Sequence, residues 1–271
     1  MLKVDLNSDL GESFGDYTIG NDEALLPYVT SVNIACGWHA GDPMVMDKTV
    51  ALAQKHGIGV GAHPGYLDLM GFGRRKMTLR PEEITNYIKY QVGALMAFTR
   101  SHGLTLQHVK THGALGNLSM VDRTTAEAVC RAIRDLDVDL LLYSHSGAIL
   151  IDVAKEFGIQ TVSEVYGDRG YTDDGMLAPR SMPGAMIQDV DEAVERSIRM
   201  IREGTVVSVT GKVIPVQADS LCVHGDTPQA MAFLQKISEA LTAEGIQIEN
   251  IKRIRGECHD ESWYEDCYKD Q

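Results

Sequence analysis

Short runs of alternating or continuous apolar residues, each ending in a polar or glycine-containing exit, recur along the chain and are separated by longer stretches with helical spacing. The runs at 2–6, 29–35, 58–62, 106–110, 140–143, 161–165 and 221–223 predict strands. Between them the 3.6-residue period predicts helices: a short one from Asp22, then 43–56, 81–102, 122–135, 148–157, 190–203, and a last one from Thr227-Pro228 to just before Gly245. Asp42 is placed to cap the second of these. Pro43 follows where a missing N–H costs nothing, and Gly57 is its stop. The stretch LQHVKTHGALGN at 106–117 shows the pattern most clearly. Leu106 and Val109 alternate with polar residues, as in a half-buried strand. Lys110 and His112 then lead into Gly113-Ala114-Leu115-Gly116, which reads as a bend. Residues 206–209 and 213–216, around Thr210-Gly211-Lys212, read as a β-hairpin, and 246–254 as one further strand.

Seven rounds of strand and helix call for parallel strands joined by crossover helices. At 271 residues the expectation is α/β, a single (β/α) barrel of seven mainly parallel strands, eight if 246–254 joins them. The barrel is expected over 1–254, with 255–271 as a C-terminal tail. Two loops, 63–80 and 166–188, exceed ordinary connections and read as binding loops or lids. No Gly-rich dinucleotide fingerprint follows the first strand, and no GxxxxGK[ST] occurs.

Composition narrows the class. A net charge of −13 argues against a nucleic-acid surface, and 44% hydrophobic residues supply an ordinary core. No apolar run approaches the ~18–20 residues of a membrane span. The opening MLKVDLNSDL turns polar too early for a signal peptide. Five cysteines, odd in number and without CxxC, do not suggest disulfides. A cytoplasmic enzyme is the expectation.

In such a barrel chemistry sits at the C-terminal strand ends. Those ends collect Asp5, Asn7, Asp9 and Glu12; Asn33 and His39; His63; Lys110 and His112; Ser144 and His145; Glu164, Asp168 and Arg169; His224 and Asp226. Five of the nine histidines fall there and His108 lies within the fourth strand, whereas His56, His102 and His259 do neither. A single strand-end histidine is more often structural than functional, but five at one end point to a site. Two chemistries fit. Asp9, His39 and His63 could hold a divalent metal, although no helical HxxxH spacing supports it. Alternatively carboxylates and imidazoles act as acids and bases, while Lys110 with Arg74 or Arg75 neutralises an anionic substrate or a transferring phosphoryl group. Cys36 and Cys222 read as buried thiols.

The motifs DLNSDLGESFG (5–15), SVNIACGWHAGDP (31–43), GAHPGYLDLMGFGRR (61–75), HVKTHGAL (108–115), EVYGDRGYTDDGMLAPR (164–180) and CVHGDTP (222–228) together resemble the LamB/YcsF family, over about residues 3–250. That resemblance implies a seven-stranded barrel related to the glycoside hydrolase/deacetylase superfamily. It further implies ATP-dependent ring opening of 5-oxo-L-proline to L-glutamate by an A subunit working with B and C subunits, with ATP entering as its Mg2+ complex. With the lactam placed in the strand-end bowl, the expected catalytic set is Asp9, Lys110, His112 and Glu164. The expected substrate site is Asn7, Asn33, His39, His63, Arg74, Arg75, Asp168, Arg169, His224 and Asp226, with Asp9 or His112 as the base. Thr111 and Gly116 depart from the family's usual Pro and Tyr, and the tail is longer than the family's. The competing expectations are a stand-alone metal-dependent deacetylase or carbohydrate hydrolase, and a non-catalytic ligand-binding subunit.

Overall fold

In the computed structural model, which describes residues 1–136, 139–225 and 230–256, the first strand sets the plan of the molecule. β1 (Lys3–Leu10) runs well past the predicted end at Leu6, because its polar residues meet partners inside the fold rather than water. Asn7 Nδ2 donates to Glu164 Oε1 at 2.9 Å and to Ser220 Oγ at 2.7 Å. After α1 (Asp22–Leu25) and a 3-10 turn come β2 (Ser31–Ala35) and α2 (Pro43–His56). The Asp42 carboxylate accepts from the Met44 and Val45 amides, and Gly57 closes the helix at φ 63°, as the sequence predicts. β3 (Gly59–His63), α3 (Pro81–Ser101) and β4 (His108–Lys110) follow.

The predicted bend at 113–116 is instead the start of α4 (Gly113–Ser119). Gly113 enters it at φ 55°, and a Cβ on Gly116 would lie 2.6 Å from Thr111 O, so both glycines serve packing rather than a turn. The chain continues through α5 (Arg123–Leu136), β5 (Leu141–His145), α6 (Ile149–Glu156), β6 (Thr161–Tyr166) and α7 (Val190–Glu203). The antiparallel hairpin of β7 (Thr205–Val207) and β8 (Val213–Pro215) leads to β9 (Ser220–Cys222) and α8 (Ala230–Ala243).

Seven parallel strands form a closed ring in the order β1-β2-β3-β4-β5-β6-β9, sealed by β9 against β1 with Asp5 opposite Ser220 and Asn7 opposite Cys222. The expected eighth strand does not enter the ring. β10 (Gln247–Ile248) adds only to the start of β1, and α9 (Ile251–Ile254) occupies the rest of that stretch.

The strands are buried on both faces, which overturns the half-buried reading of 106–110. Val4, Leu6, Leu10, Val32, Ile34, Val60, Val109, Leu142, Val165 and Leu221 pack with the helices in one continuous core. The residues that alternate with them turn into the barrel, and most are polar. Only at the closed end does a small apolar plug of Leu141, Tyr143, Val162 and Ile251 fill the interior. Among the described residues no helix is long and apolar enough to cross a membrane. Cys36, Cys130 and Cys222 are buried free thiols.

Candidate active site

The polar lining is stacked in tiers along the barrel axis. At the closed end Asp5 accepts hydrogen bonds from Thr30, Ser31, Ser220 and Tyr143. Burial raises its carboxyl pKa against those bonds, so it is a structural group and not part of an exit. The middle tier joins Asn33, Asn7 and His108: Asn33 Nδ2 donates to Asn7 Oδ1 and Asp9 Oδ1, each at 2.8 Å, and His108 Nε2 donates to Asn33 Oδ1 at 2.7 Å. His108 fits only because β3 supplies Gly61 opposite, where a Cβ would lie 2.0 Å from that nitrogen.

The upper tier holds the reactive groups. Lys110 Nζ lies 3.0 Å from Asp9 Oδ1, 2.8 Å from Glu164 Oε1 and 3.2 Å from Cys222 Sγ. Burial opposes the ammonium, yet Asp9 and Glu164 hold its pKa well above the usual range. Burial likewise opposes ionised Asp9, and the adjacent His63 imidazole and Lys110 ammonium outweigh it, keeping that carboxyl well below the usual range. Burial pushes the Cys222 thiol well up, so it stays protonated.

Beside this trio stand Glu12, His39, His63 and His112, all buried, with one potential ligand atom from each lying within 4.8 Å of the others. This Glu/His cluster can hold a metal ion. His39 and His112 stack at 3.7 Å with a 4° interplanar angle. Desolvation holds both rings well below the usual histidine pKa, and hence neutral. His112 has both ring nitrogens engaged, Nδ1 with His63 Nε2 at 2.9 Å and Nε2 with Phe72 O at 2.8 Å.

The barrel opens into a cavity of about 590 Å³. Of the residues picked out from sequence, Asp9, Glu12, His63, Arg74, Lys110, His112, Arg169 and His224 line it. Asn7, Asn33, His39, Glu164 and Asp168 lie buried beneath or behind that lining. His224 Nδ1 donates to Asp168 Oδ2 at 2.8 Å, which leaves the lone pair of the neutral ring on Nε2. Asp168 is pushed up by burial but held below the usual range by His224.

Two arginines depart from the expected arrangement. Arg75 is not among the cavity-lining residues, and its Nε donates to Asp68 Oδ1 at 2.7 Å, stapling the 63–80 loop. Arg169 spends its guanidinium on the carbonyls of Ala178 and Ala185, folding the 166–188 loop. Asp226 lies outside the described residues.

Sequence reasoning passes over Lys76, Arg180 and Tyr166, which also line the cavity. The two cations come from the two long loops, so their convergence depends on tertiary structure. Glu12 enters from the sequence only as a strand-end residue without a role, and its place beside three imidazoles follows from the tertiary structure. Thr111 and Gly116 both border the cavity.

Comparison with known proteins agrees with this architecture. The chain is 51% identical over 253 residues to the A subunit of 5-oxoprolinase from Pyrococcus horikoshii, covering 93% of this chain and 99% of that one. It is 49% identical to the A subunit of 5-oxoprolinase from Clostridium beijerinckii, covering 94% and 100%. The crystal structure of a lactam utilization protein from Thermus thermophilus superposes with a TM-score of 0.87 at 44% identity, covering 92% of this chain and 99% of that one. The family model for LamB/YcsF matches residues 4–256. A match that spans the barrel from its first strand to the helix beyond its last places this chain in the LamB/YcsF family.

Proposed function

We infer that this protein is the A subunit of an ATP-dependent 5-oxoprolinase, opening 5-oxo-L-proline to L-glutamate together with B and C subunits. The observation that carries this reading is the near-full-length identity of about half to proteins described as the A component of 5-oxoprolinase. The cavity supports it. A five-membered lactam with one carboxylate is a small anion, and Arg74, Lys76 and Arg180 give the cavity a cationic wall to receive it.

A lactam amide is resonance-stabilised, and its hydrolysis near neutrality is too weakly driven to run without coupling. ATP, supplied as its Mg2+ complex, would transfer its γ-phosphoryl group to the amide oxygen with release of ADP. Water would then add to the activated carbon, the ring C–N bond would break with the nitrogen taking up a proton, and hydrolysis of the resulting acyl phosphate would release phosphate and L-glutamate. The chain itself would place Lys110 against the developing negative charge, its own charge maintained by Asp9 and Glu164. His224, oriented by Asp168 as in a His–Asp pair, would take the proton of the attacking water. His112, with both nitrogens occupied, serves the imidazole cluster rather than proton transfer. A divalent ion held by that cluster would polarise the lactam carbonyl. With no P-loop in the sequence, phosphate handling is shared with the partner subunits. A cytoplasmic setting, where ATP is available, fits this chemistry.

The test is glutamate release by the purified chain, alone and with candidate B and C subunits, with and without ATP. The expected result is glutamate only when ATP and both partners are present. Glutamate or deacetylated sugar formed by the chain alone without ATP would favour the stand-alone metal-dependent hydrolase, the second reading that the buried Glu/His cluster supports.

A further inference from the structure

His63 and His112 are each fixed by a main-chain carbonyl, and the two constraints conflict. His63 Nδ1 lies 2.8 Å from Lys110 O. A carbonyl can only accept, so this nitrogen carries the proton. His112 Nε2 lies 2.8 Å from Phe72 O and carries its proton for the same reason. In neutral rings the lone pairs then fall on His63 Nε2 and His112 Nδ1, which face each other at 2.9 Å. Two lone pairs at that distance repel unless a positive centre sits with them. His39 adds a third imidazole whose two nitrogens are both buried without a hydrogen-bond partner. Its Nε2 lies 3.6 Å from Glu12 Oε1, and His112 Nδ1 lies 3.9 Å from the same oxygen.

We propose that Glu12, His39, His63 and His112 form a binding site for one divalent transition-metal ion of the zinc class, with His63 ligating through Nε2 and His112 through Nδ1. Three imidazoles and one carboxylate are donors that suit zinc, whereas Mg2+ and Ca2+ take oxygen ligands. The carbonyls of Lys110 and Phe72 supply the outer hydrogen bonds that fix the tautomer and orientation of ligating histidines.

The surrounding backbone is built for this. Phe72 is the one non-glycine residue with positive φ among the described residues, at 53°, and its carbonyl is the one that His112 uses. Gly73 follows at φ 65°, where a Cβ would lie 2.8 Å from the His112 ring and 2.9 Å from His39 Cβ. Asp9, expected from sequence to be a ligand, stands outside this four-residue cluster, its Oδ1 taken by Lys110 and Asn33. The proposal rests on ring geometry, not on the oxoprolinase reading, and its test reads metal rather than turnover.

The full chain, purified without chelators, would be titrated with Zn2+ against a chromophoric competitor, melted with and without Zn2+, and examined by zinc-edge X-ray absorption. One equivalent bound, imidazole scattering in the spectrum and a raised Tm are expected. His39→Gln and His112→Gln should weaken binding by at least about 100-fold, while Asp9→Asn stays within about threefold of wild type. Circular dichroism checks that each variant is folded, and where one is not, the wild-type absorption spectrum decides. No bound metal and a Tm indifferent to Zn2+ would overturn the proposal in favour of a proton shared between His63 and His112. Loss of metal in Asp9→Asn equal to that in His39→Gln would overturn the ligand set.

Discussion

A buried ammonium survives at Lys110 because Asp9 and Glu164 both lie within hydrogen-bond reach, so three charges that would each be costly alone become one network. The same logic of one group defining another governs His224 and Asp168. His224→Asn should lower turnover by about 10²–10⁴-fold with little change in KM, since it removes proton transfer but not the cationic wall. An unchanged kcat would remove His224 from the mechanism. The neutral histidines make a second prediction. His39, His108 and His112 all have folded pKa values depressed by burial, well below the ordinary 6.5. The unfolded chain takes up protons near that value which the folded rings refuse, so stability is fully present above about pH 6.5 and falls as pH drops below it. Chemical denaturation at pH 7.5 and at pH 5.5 measures this, and equal stability at both would contradict it. At this scale the sequence is informative about residue type and poor about partnership. That His63 and His112 matter follows from their place after strands. That Arg75 is tied to Asp68, and Arg180 brought to the cavity, depends on how two long loops fold, which no local pattern encodes.

The elements show why some boundaries are legible and others are not. α2 is legible to the residue because its cap, its proline and its terminal glycine are local signals. β1 reads short because strand reading equates polarity with the surface, and here Asn7 and Asp9 are buried against other polar groups. α4 reads as a bend because glycine is a poor helix former, yet Gly113 is required by the close approach of Gly73 O from the 63–80 loop and Gly116 by that of Thr111 O. β3 carries the sharpest version of this. Gly59 and Gly61 leave room for Gln107 and His108 from the neighbouring strand, and a Cβ at Gly61 would sit 2.0 Å from the His108 ring. Gly61→Ala should therefore destabilise the protein by about 1–3 kcal/mol or more through overpacking and displacement of His108. A Tm within a degree of wild type would show that the ring has somewhere else to go.

For the whole molecule, the alternation of strands and helices is enough to give the closed parallel barrel, because crossover connections leave few other ways to bury seven short strands. What the pattern does not give is the filling. An apolar barrel lining is the common solution, whereas here the interior is largely polar above a small plug of Leu141, Tyr143, Val162 and Ile251. The alternating strand code looks the same whether the polar face meets solvent or a buried network.

The seam between β1 and β9 joins residues more than two hundred positions apart, Asp5 with Ser220 and Asn7 with Cys222. At ordinary rates of synthesis the first strand leaves the ribosome on the order of 10–40 s before its partner exists. An apolar inner face would spend that interval as a sticky, half-open trough. A face of Asp5, Asn7 and Asp9 is instead well hydrated while it waits, and gives up that water only when the last strand arrives. The polar groups that line the finished barrel thus also keep the unfinished one from finding the wrong partner.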